Sequence, residues 1–214
     1  MRDESNELID RATAILCAEL QLPDIEDFSN ETTFAVRLSD LSGRLDASYH
    51  DPIVGKLNRH LSKYAAEVTT IDDPRISSAV ILPGRFRRVY VDEGYGRVFI
   101  GGKQIHELDP SNKKYLSIVY HGDRISNQLE LRENMILITR SGTIGKVVLV
   151  PKHWKDWIAS EHIVRVVPAS VNIAGYLSIF LAIDYGRKLI CRSTYGAVVD
   201  EIDDKQVAKF RFRY

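Results

Sequence analysis

The sequence predicts an α/β (α+β) protein, with a mixed β-sheet domain and flanking helices that follow a small helical N-terminal segment. Near the start of the chain, apolar residues recur at helical spacing. After about residue 76, short unbroken runs of β-branched and aliphatic residues dominate instead. Because 214 residues suffice for one substantial domain and a smaller appendage, we predict two parts, residues 1–75 and residues 76–214.

The N-terminal part is predicted to hold two helices and one strand. Apolar spacing predicts a helix over residues 5–20 that is closed by Pro23, and residues 33–38 (TFAVRL) favour a strand. A second helix has Pro52 in its first turn, where proline is well tolerated. An apolar stripe on so short a helix can dock on the chain's own core or on a partner, and the first is more typical. Its members are Ile53, Leu57, Leu61 and Tyr64.

The C-terminal part begins after a predicted boundary loop over residues 67–85, which contains Pro74 and Pro83. A helix is expected over about residues 174–190, and a shorter one near Asp203 would have Gln206 as its capping-box partner. The predicted strands are residues 86–91 (FRRVYV), 97–100 (RVFI), both arms of a hairpin within 135–150, 162–168 (HIVRVVP) and the final KFRFRY.

The hairpin, MILITRSGTIGKVVLV, joins two apolar runs through a polar turn that contains two glycines. Runs without alternation are typical of strands buried on both faces. One interpretation is that Ser141 and Thr143 only build the turn, with glycine supplying positive φ. The alternative is that Arg140, Lys146 and exposed turn amides hold a phosphate. The turn is not a Walker loop, because no hydroxyl residue follows Lys146.

The formal net charge is zero, but the charges are distributed unevenly. Residues 1–75 contain 8 Lys and Arg against 15 Asp and Glu, a net of −7. Residues 76–214 contain 21 against 14, a net of +7. Such asymmetry indicates a basic binding surface beside an acidic, solvated or partner-facing part.

Recognisable catalytic and metal-binding patterns are absent from the sequence. The six histidines do not fall at zinc-site spacing, Cys17 and Cys191 stand alone, and GYGRVF has Phe99 where a dinucleotide fingerprint needs glycine. No GxSxG elbow occurs. We therefore expect no catalytic residue, metal or cofactor. Without a signal peptide or a long apolar stretch, the expected location is the cytoplasm and no membrane partner is expected.

Three ordered passages resemble the target recognition domain of type I restriction-modification specificity (S) subunits. They are GRVFIGGKQI at 96–105, NMILITRSGTIGKVVLVP at 134–151 with SEHIVRVVP at 160–168, and the helical and turn pattern of residues 175–212. The resemblance covers roughly residues 80–214. In addition, RLDASYHDPIVGKL at 44–57 is similar to the segment that precedes such a domain in this family.

The resemblance implies a DNA-binding module without chemistry of its own, which reads one half of a bipartite site in double-stranded DNA. It further implies a DNA methyltransferase (M) subunit and possibly a restriction (R) subunit as partners. Since only one recognition domain is present, we expect a fragment of a longer subunit, or a half-subunit that pairs with a second domain or copy. The alternatives are a domain detached from a fused methyltransferase-endonuclease, and a protein-interaction or assembly module.

Residues shared by family members that read different sequences cannot choose the base, so Arg140, Ser141, Thr143 and Lys146 are assigned to structure or phosphate positioning. Base readout is expected from less patterned loops, because Arg can read guanine and Gln adenine. An arginine-bearing strand such as FRRVYV can equally be an ordinary solvated face. The candidates for base contact are Arg85, Arg87, Arg88, Lys103, Gln104, Arg192, Thr194 and Tyr195.

Overall fold

The structure, a computed structural model, describes residues 2–22, 33–41, 43–47, 49–64, 67–107, 109–192 and 201–213. Its helices are α1 (Arg2–Glu19), α2 (Pro52–Tyr64), α3 (Ile118–Arg124), α4 (Val171–Ala182), α5 (Asp184–Cys191) and α6 (Asp204–Ala208). Its strands are β1 (Val68–Thr70), β2 (Ser77–Ile81), β3 (Tyr90–Val91), β4 (Gly96–Ile100), β5 (Lys114–Ser117), β6 (Ile136–Thr139), β7 (Val147–Leu149), β8 (Ile158–Ala159), β9 (Ile163–Pro168) and β10 (Arg211–Arg213). These helices and sheets confirm the predicted α/β class.

The described strands form two four-stranded sheets and one short ladder. The first sheet has the order β2-β9-β6-β7 and is antiparallel throughout. The second has the order β3-β5-β4-β8, in which β4 and β8 are parallel. A separate antiparallel ladder pairs β1 with β10. The second sheet is therefore the mixed one.

The unbroken apolar run of β6 reflects its place between two cores. All four of its residues are buried. Ile136 and Ile138 face the main core with the helices, whereas Leu137 faces a second core shared with the other sheet. Since β7 lies at the edge of the sheet, its residues are only half-buried. The expected burial on both faces thus holds fully for β6 and partly for β7.

The main core draws on both ends of the chain. Leu16 of α1 and Leu57 of α2 pack in the same cluster as Phe180 of α4 and Phe212 of β10. Ile53, Leu57 and Leu61 are buried, so these members of the α2 stripe dock on the chain's own core. Residues 1–75 and 76–214 therefore share one core, and the boundary between them stays a prediction.

A third cluster lies between the second sheet and the π-helical turn that follows α3. It contains Phe99, Leu116 and Ile158 of the sheet, with Ile125 and Leu129 of the π-helical turn that continues α3. Phe86, in the irregular segment before β3, is half-buried against it. This packing brings the segment around residue 86 onto α3.

Several element predictions are confirmed. The first helix, the second helix beginning at Pro52, the strand at 97–100, the hairpin and the strand at 163–168 are all present. The capping box between Asp203 and Gln206 is formed in both directions. The last strand is also present and spans Arg211–Arg213. Tyr64, the fourth predicted member of the α2 stripe, has a side chain that the structure does not describe.

The strand predicted for residues 33–38 is wrong. Residues 33–37 have no regular structure, and a single 3₁₀ turn follows at 38–40. Phe34 is exposed, and the segment pairs with no described strand. Alternating composition without a partner strand does not form a ladder.

Most of the strand predicted for FRRVYV is also wrong, because only Tyr90 and Val91 pair with β5. The predicted boundary loop over residues 67–85 is corrected as well, since it contains the whole of β1 and β2. Pairing with β10 and β9 overrides its proline content.

The single helix expected over residues 174–190 is instead two helices that break at Ile183, which is extended at φ −68° and ψ 158°. Gly186 explains the close return of the chain. A Cβ there would stand 2.0 Å from the carbonyl oxygen of Phe180, so the two helices need glycine where they approach.

Candidate functional site

The hairpin tip, residues 139–146, is held together by Thr139, the residue directly before the predicted motif that begins at Arg140. The Thr139 hydroxyl donates to the carbonyl oxygen of Thr143 and accepts from the Lys146 amide at 3.0 Å. Gly142 and Gly145 have φ of +77° and +73°, as expected for the turn glycines. Thr139 is 2% exposed, so these hydrogen bonds are sheltered from water.

Ser141 and Arg140 tie the hairpin tip to neighbouring segments. Ser141 Oγ lies 3.2 Å from Nδ1 of His162, and the Arg140 amide donates to the His162 carbonyl at 3.1 Å. Ser141 also forms an isolated bridge with Glu201. Because the amides of Arg140, Gly145 and Lys146 all donate within the protein, the turn-building interpretation of this motif is favoured over a phosphate cradle.

Two carboxylates neutralise arginines around the hairpin tip. Glu201 forms a short hydrogen-bonded ion pair with Arg140, whose side chain is only 12% exposed, and a longer one with Arg85 at 3.3 Å. Glu161 is buried and pairs with Arg88 at 2.6 Å. Arg140 and Arg88 are therefore compensated inside the protein.

Arg88 is further held by its surroundings. Its guanidinium lies 5.2 Å from the ring centroid of Phe99. Desolvation acts against its charge, but hydrogen bonds to Glu161 and to Tyr90 prevail and raise the pKa of Arg88. This arginine thus resembles a fixed part of the scaffold more than a free reading residue.

Arg85 and Arg87 project from the arginine segment, which we define as residues 84–89. The Arg85 side chain is 72% exposed, so its pair with Glu201 is weak. Arg87 is exposed, and no described carboxylate lies within salt-bridge distance of it. These two side chains can reach an anion outside the protein.

Lys103 and Gln104 lie in the turn over residues 101–106, beside the hairpin tip. A Cβ on Gly102 would stand 3.4 Å from the Thr139 methyl group. Lys103 is exposed, whereas the Gln104 amide group is used locally. It accepts from the Gly101 amide at 3.3 Å and donates to the Asn112 carbonyl at 3.1 Å.

Lys146, at the end of the hairpin tip, faces the same turn. Desolvation and, to a lesser degree, the charge of Lys146 lower the pKa of His106. Lys146 itself is half-buried. The 101–106 turn and the hairpin tip therefore share one electrostatic environment.

Arg192 lies at the end of α5 and anchors it to the N-terminal part. Its Nε donates to the Tyr49 carbonyl at 3.0 Å, and its guanidinium is 4.5 Å from the Tyr49 ring centroid. Arg44 lies 4.6 Å from the same ring. Thr194 and Tyr195 lie outside the described residues, between Arg192 and Glu201.

The structure thus gathers Arg85, Arg140 and Ser141 around Glu201. Arg88 is bound nearby to Glu161, whose neighbour His162 contacts Ser141, and the 101–106 turn lies next to the hairpin tip. Sequence reasoning missed Thr139, Glu161 and Glu201. His162, which is not at zinc-site spacing, contacts the Ser141 hydroxyl. The signal for Glu161 was its position directly before an apolar strand, where a carboxylate needs a partner.

Within the described ranges, no group of three or more His, Cys, Asp or Glu side chains could hold a metal ion. In the same ranges, no helix combines the length and the apolar character needed to cross a membrane.

Comparison with known proteins gives few matches. No family model matches the sequence, and no curated protein matches it significantly. Among solved structures, the type I restriction-modification system S subunit from M. genitalium is similar, with a TM-score of 0.34 and 10% identity over 69% of this chain. The match spans 34% of that subunit, about a third of its length.

Proposed function

We propose that this chain is a non-catalytic, sequence-specific DNA-binding specificity module of a type I restriction-modification system. It would read one half of a bipartite site and direct methyltransferase and restriction subunits to it. The observation that carries the proposal is the set of exposed cations around the hairpin tip, on a motif-bearing scaffold in which Arg88, Arg140 and Arg192 have internal partners. The resemblance of the three ordered sequence passages to S subunits supports the choice of family.

The geometry supports two different roles for the cations, one in DNA contact and one in support of the surface. Exposed Arg85, Arg87 and Lys103 can extend to phosphates or base edges, as duplex recognition requires. Arg88, Arg140 and Arg192 have internal partners that hold them in place. We therefore assign the first three to DNA contact and the second three to support of the surface.

The remaining predicted contacts follow from position. Lys146 borders the 101–106 turn and is proposed to steady the DNA backbone. Ser141 contributes to the hairpin tip through its hydroxyl contact with His162, and Thr143 through its backbone carbonyl, which accepts from Thr139. Gln104 is proposed to fix the turn that presents Lys103, since its amide group is engaged with backbone. Thr194 and Tyr195 stay candidates for base contact.

A salt titration of binding to a duplex DNA tests the proposal. If about five phosphates are contacted, the slope of log affinity against log salt is about −4.5, at about −0.9 per contact. Lys103→Ala is expected to reduce the magnitude of that slope by about 0.9. The matched control is Arg211→Ala, which removes an exposed cation from the separate β1–β10 ladder and is expected to leave the slope unchanged.

A flat titration between low and moderate salt would exclude DNA binding through phosphates, and would favour a protein-interaction module. Equal effects of the Lys103 and Arg211 substitutions would show that the hairpin-tip surface has no special role. Selection from a random duplex library, with the methyltransferase subunit present, then identifies the half-site.

A further inference from the structure

The arginine segment has no ladder of its own, and two side chains of α3 hold its backbone. Arg124 Nη1 donates to the Gly84 carbonyl at 2.9 Å, and its guanidinium lies 4.9 Å from the ring centroid of Phe86. Nε2 of His121 lies 3.2 Å from the Val89 amide nitrogen. One side chain thus binds each end of the segment.

His121 can play this part only in its neutral form. The Val89 amide is a donor, so Nε2 of His121 must be the unprotonated acceptor while Nδ1 carries the proton. An imidazolium has two donors and no acceptor, and therefore cannot make this hydrogen bond. The His121 ring is also packed edge-on against Phe86, with centroids 5.3 Å apart.

The charges around α3 favour the neutral imidazole. Desolvation and, to a lesser degree, the Arg124 charge lower the pKa of His121 below its ordinary value near 6.5. The described π-helical turn after α3 contributes no titratable group. Besides His121 itself, the titratable and charged residues of α3, of the arginine segment and of β5 are Tyr120, Asp123 and Arg124, then Arg85, Arg87 and Arg88, and finally Lys114 and Tyr115.

The carbonyl of Val89 completes the arrangement. It accepts from the Ser117 amide at 2.9 Å, directly before α3, so both backbone groups of Val89 are bonded to the same region. Between the two anchors lie Arg85, Arg87 and Arg88. Loss of the His121 contact would free the amide side of this attachment while Arg124 still held the other end.

We propose that His121 and Arg124 are positioning residues that set the path of the arginine segment, with His121 releasing Val89 when it is protonated. This inference rests on the proposed function, because the segment carries candidate DNA contacts. Neither residue needs to touch DNA. Their effect on binding would pass through Arg85 and Arg87.

Amide hydrogen exchange at Val89 tests the attachment without any DNA. At pH 7.5 we expect His121→Ala to lower the Val89 protection factor about fivefold, as for loss of one hydrogen bond, and His121→Gln to preserve it. Glutamine offers an acceptor near the position of Nε2 that does not titrate. The control variant is His153→Gln, at an exposed histidine of the 3₁₀ turn over residues 152–154.

The pH profile separates positioning from general stability. Between pH 7.5 and 5.5, the native protein is expected to lose Val89 protection, corrected for intrinsic exchange, whereas His121→Gln keeps it. Protection that is independent of pH in the native protein, or unchanged in His121→Ala, overturns the inference. If His121→Ala does not fold, the native pH profile and His121→Gln still decide.

The DNA arm distinguishes this inference from the proposed function. His121→Ala and Arg124→Ala are each expected to weaken binding to duplex DNA severalfold at pH 7.5, whereas His121→Gln binds like the native protein. Loss of Val89 protection without any loss of DNA affinity would confirm the attachment and overturn DNA contact by the segment.

Discussion

The hairpin tip and the arginine segment lie side by side and are organised in opposite ways. In the hairpin tip, Thr139 and the turn amides are bonded internally, and Arg140 is paired with Glu201. In the arginine segment the backbone has no ladder, and Arg85 and Arg87 are exposed. The patterned residues therefore build the scaffold, and the unpatterned residues are available to a ligand.

The largest loss of stability is expected at Glu161, the buried carboxylate that pairs with Arg88. Glu161→Gln leaves Arg88 without its carboxylate and removes the charge that opposes desolvation of the fully buried Arg165. We expect the free energy of unfolding to fall by about 3 kcal/mol in denaturant titration. Glu130→Gln is the control, because its pair with Arg97 is about one-third exposed and is worth under about 1 kcal/mol.

A matched threonine pair tests which hydroxyl builds the hairpin tip. Thr139→Val removes a sheltered hydroxyl that donates one hydrogen bond and accepts another, so we expect a loss of about 2 kcal/mol in unfolding free energy. Thr143→Val is exposed and is expected to change stability by less than about 0.5 kcal/mol. The reverse order would return the structural role to the Ser-Gly-Thr motif.

The two turn glycines separate backbone strain from packing. Gly142→Ala and Gly145→Ala both place a side chain at positive φ, which costs about 1 kcal/mol. A Cβ at Gly145 also comes 3.0 Å from the Cys191 sulfur, whereas Gly142 has open space. Thermal unfolding should therefore show the lower melting temperature for Gly145→Ala. Equal melting temperatures would mean that α5 shifts to accommodate the added methyl group without loss of stability.

The smallest stability effect is expected at Arg85. Because its side chain is 72% exposed and Glu201 retains Arg140, Arg85→Ala should alter the free energy of unfolding by less than about 0.5 kcal/mol. The same change should weaken DNA binding and reduce the salt slope by about 0.9. A stability loss as large as that of Thr139→Val would show that Arg85 is a structural residue, like those of the hairpin tip.

The hairpin could be predicted from sequence because burial on both faces of β6 leaves an unbroken apolar run. The arginine segment could not. Its alternating composition favours a strand, but the groups that hold it, His121 and Arg124, lie about 30 to 40 residues further along the chain. Local pattern carries no information about such side-chain anchors.

The helix break at Ile183 was missed for a related reason. No proline marks it, and it depends on the close contact between Gly186 and the Phe180 carbonyl. In the site, the cations could be named from residue type and turn position. Their carboxylate partners could not, since Arg85, Arg88 and Arg140 meet them across sequence separations of 116, 73 and 61 residues.

The pairing of β1 with β10 has a consequence for how the chain folds during synthesis. Phe210 and Phe212 pack against Phe180 of α4, and β10 pairs with residues 68–70. Contacts of such long sequence separation form late, because a large loop must close before they do. The aromatic face of α4 is therefore covered only after the ribosome has synthesised the chain through residue 213. Until then this face is exposed on the nascent protein, where it can aggregate or bind chaperones.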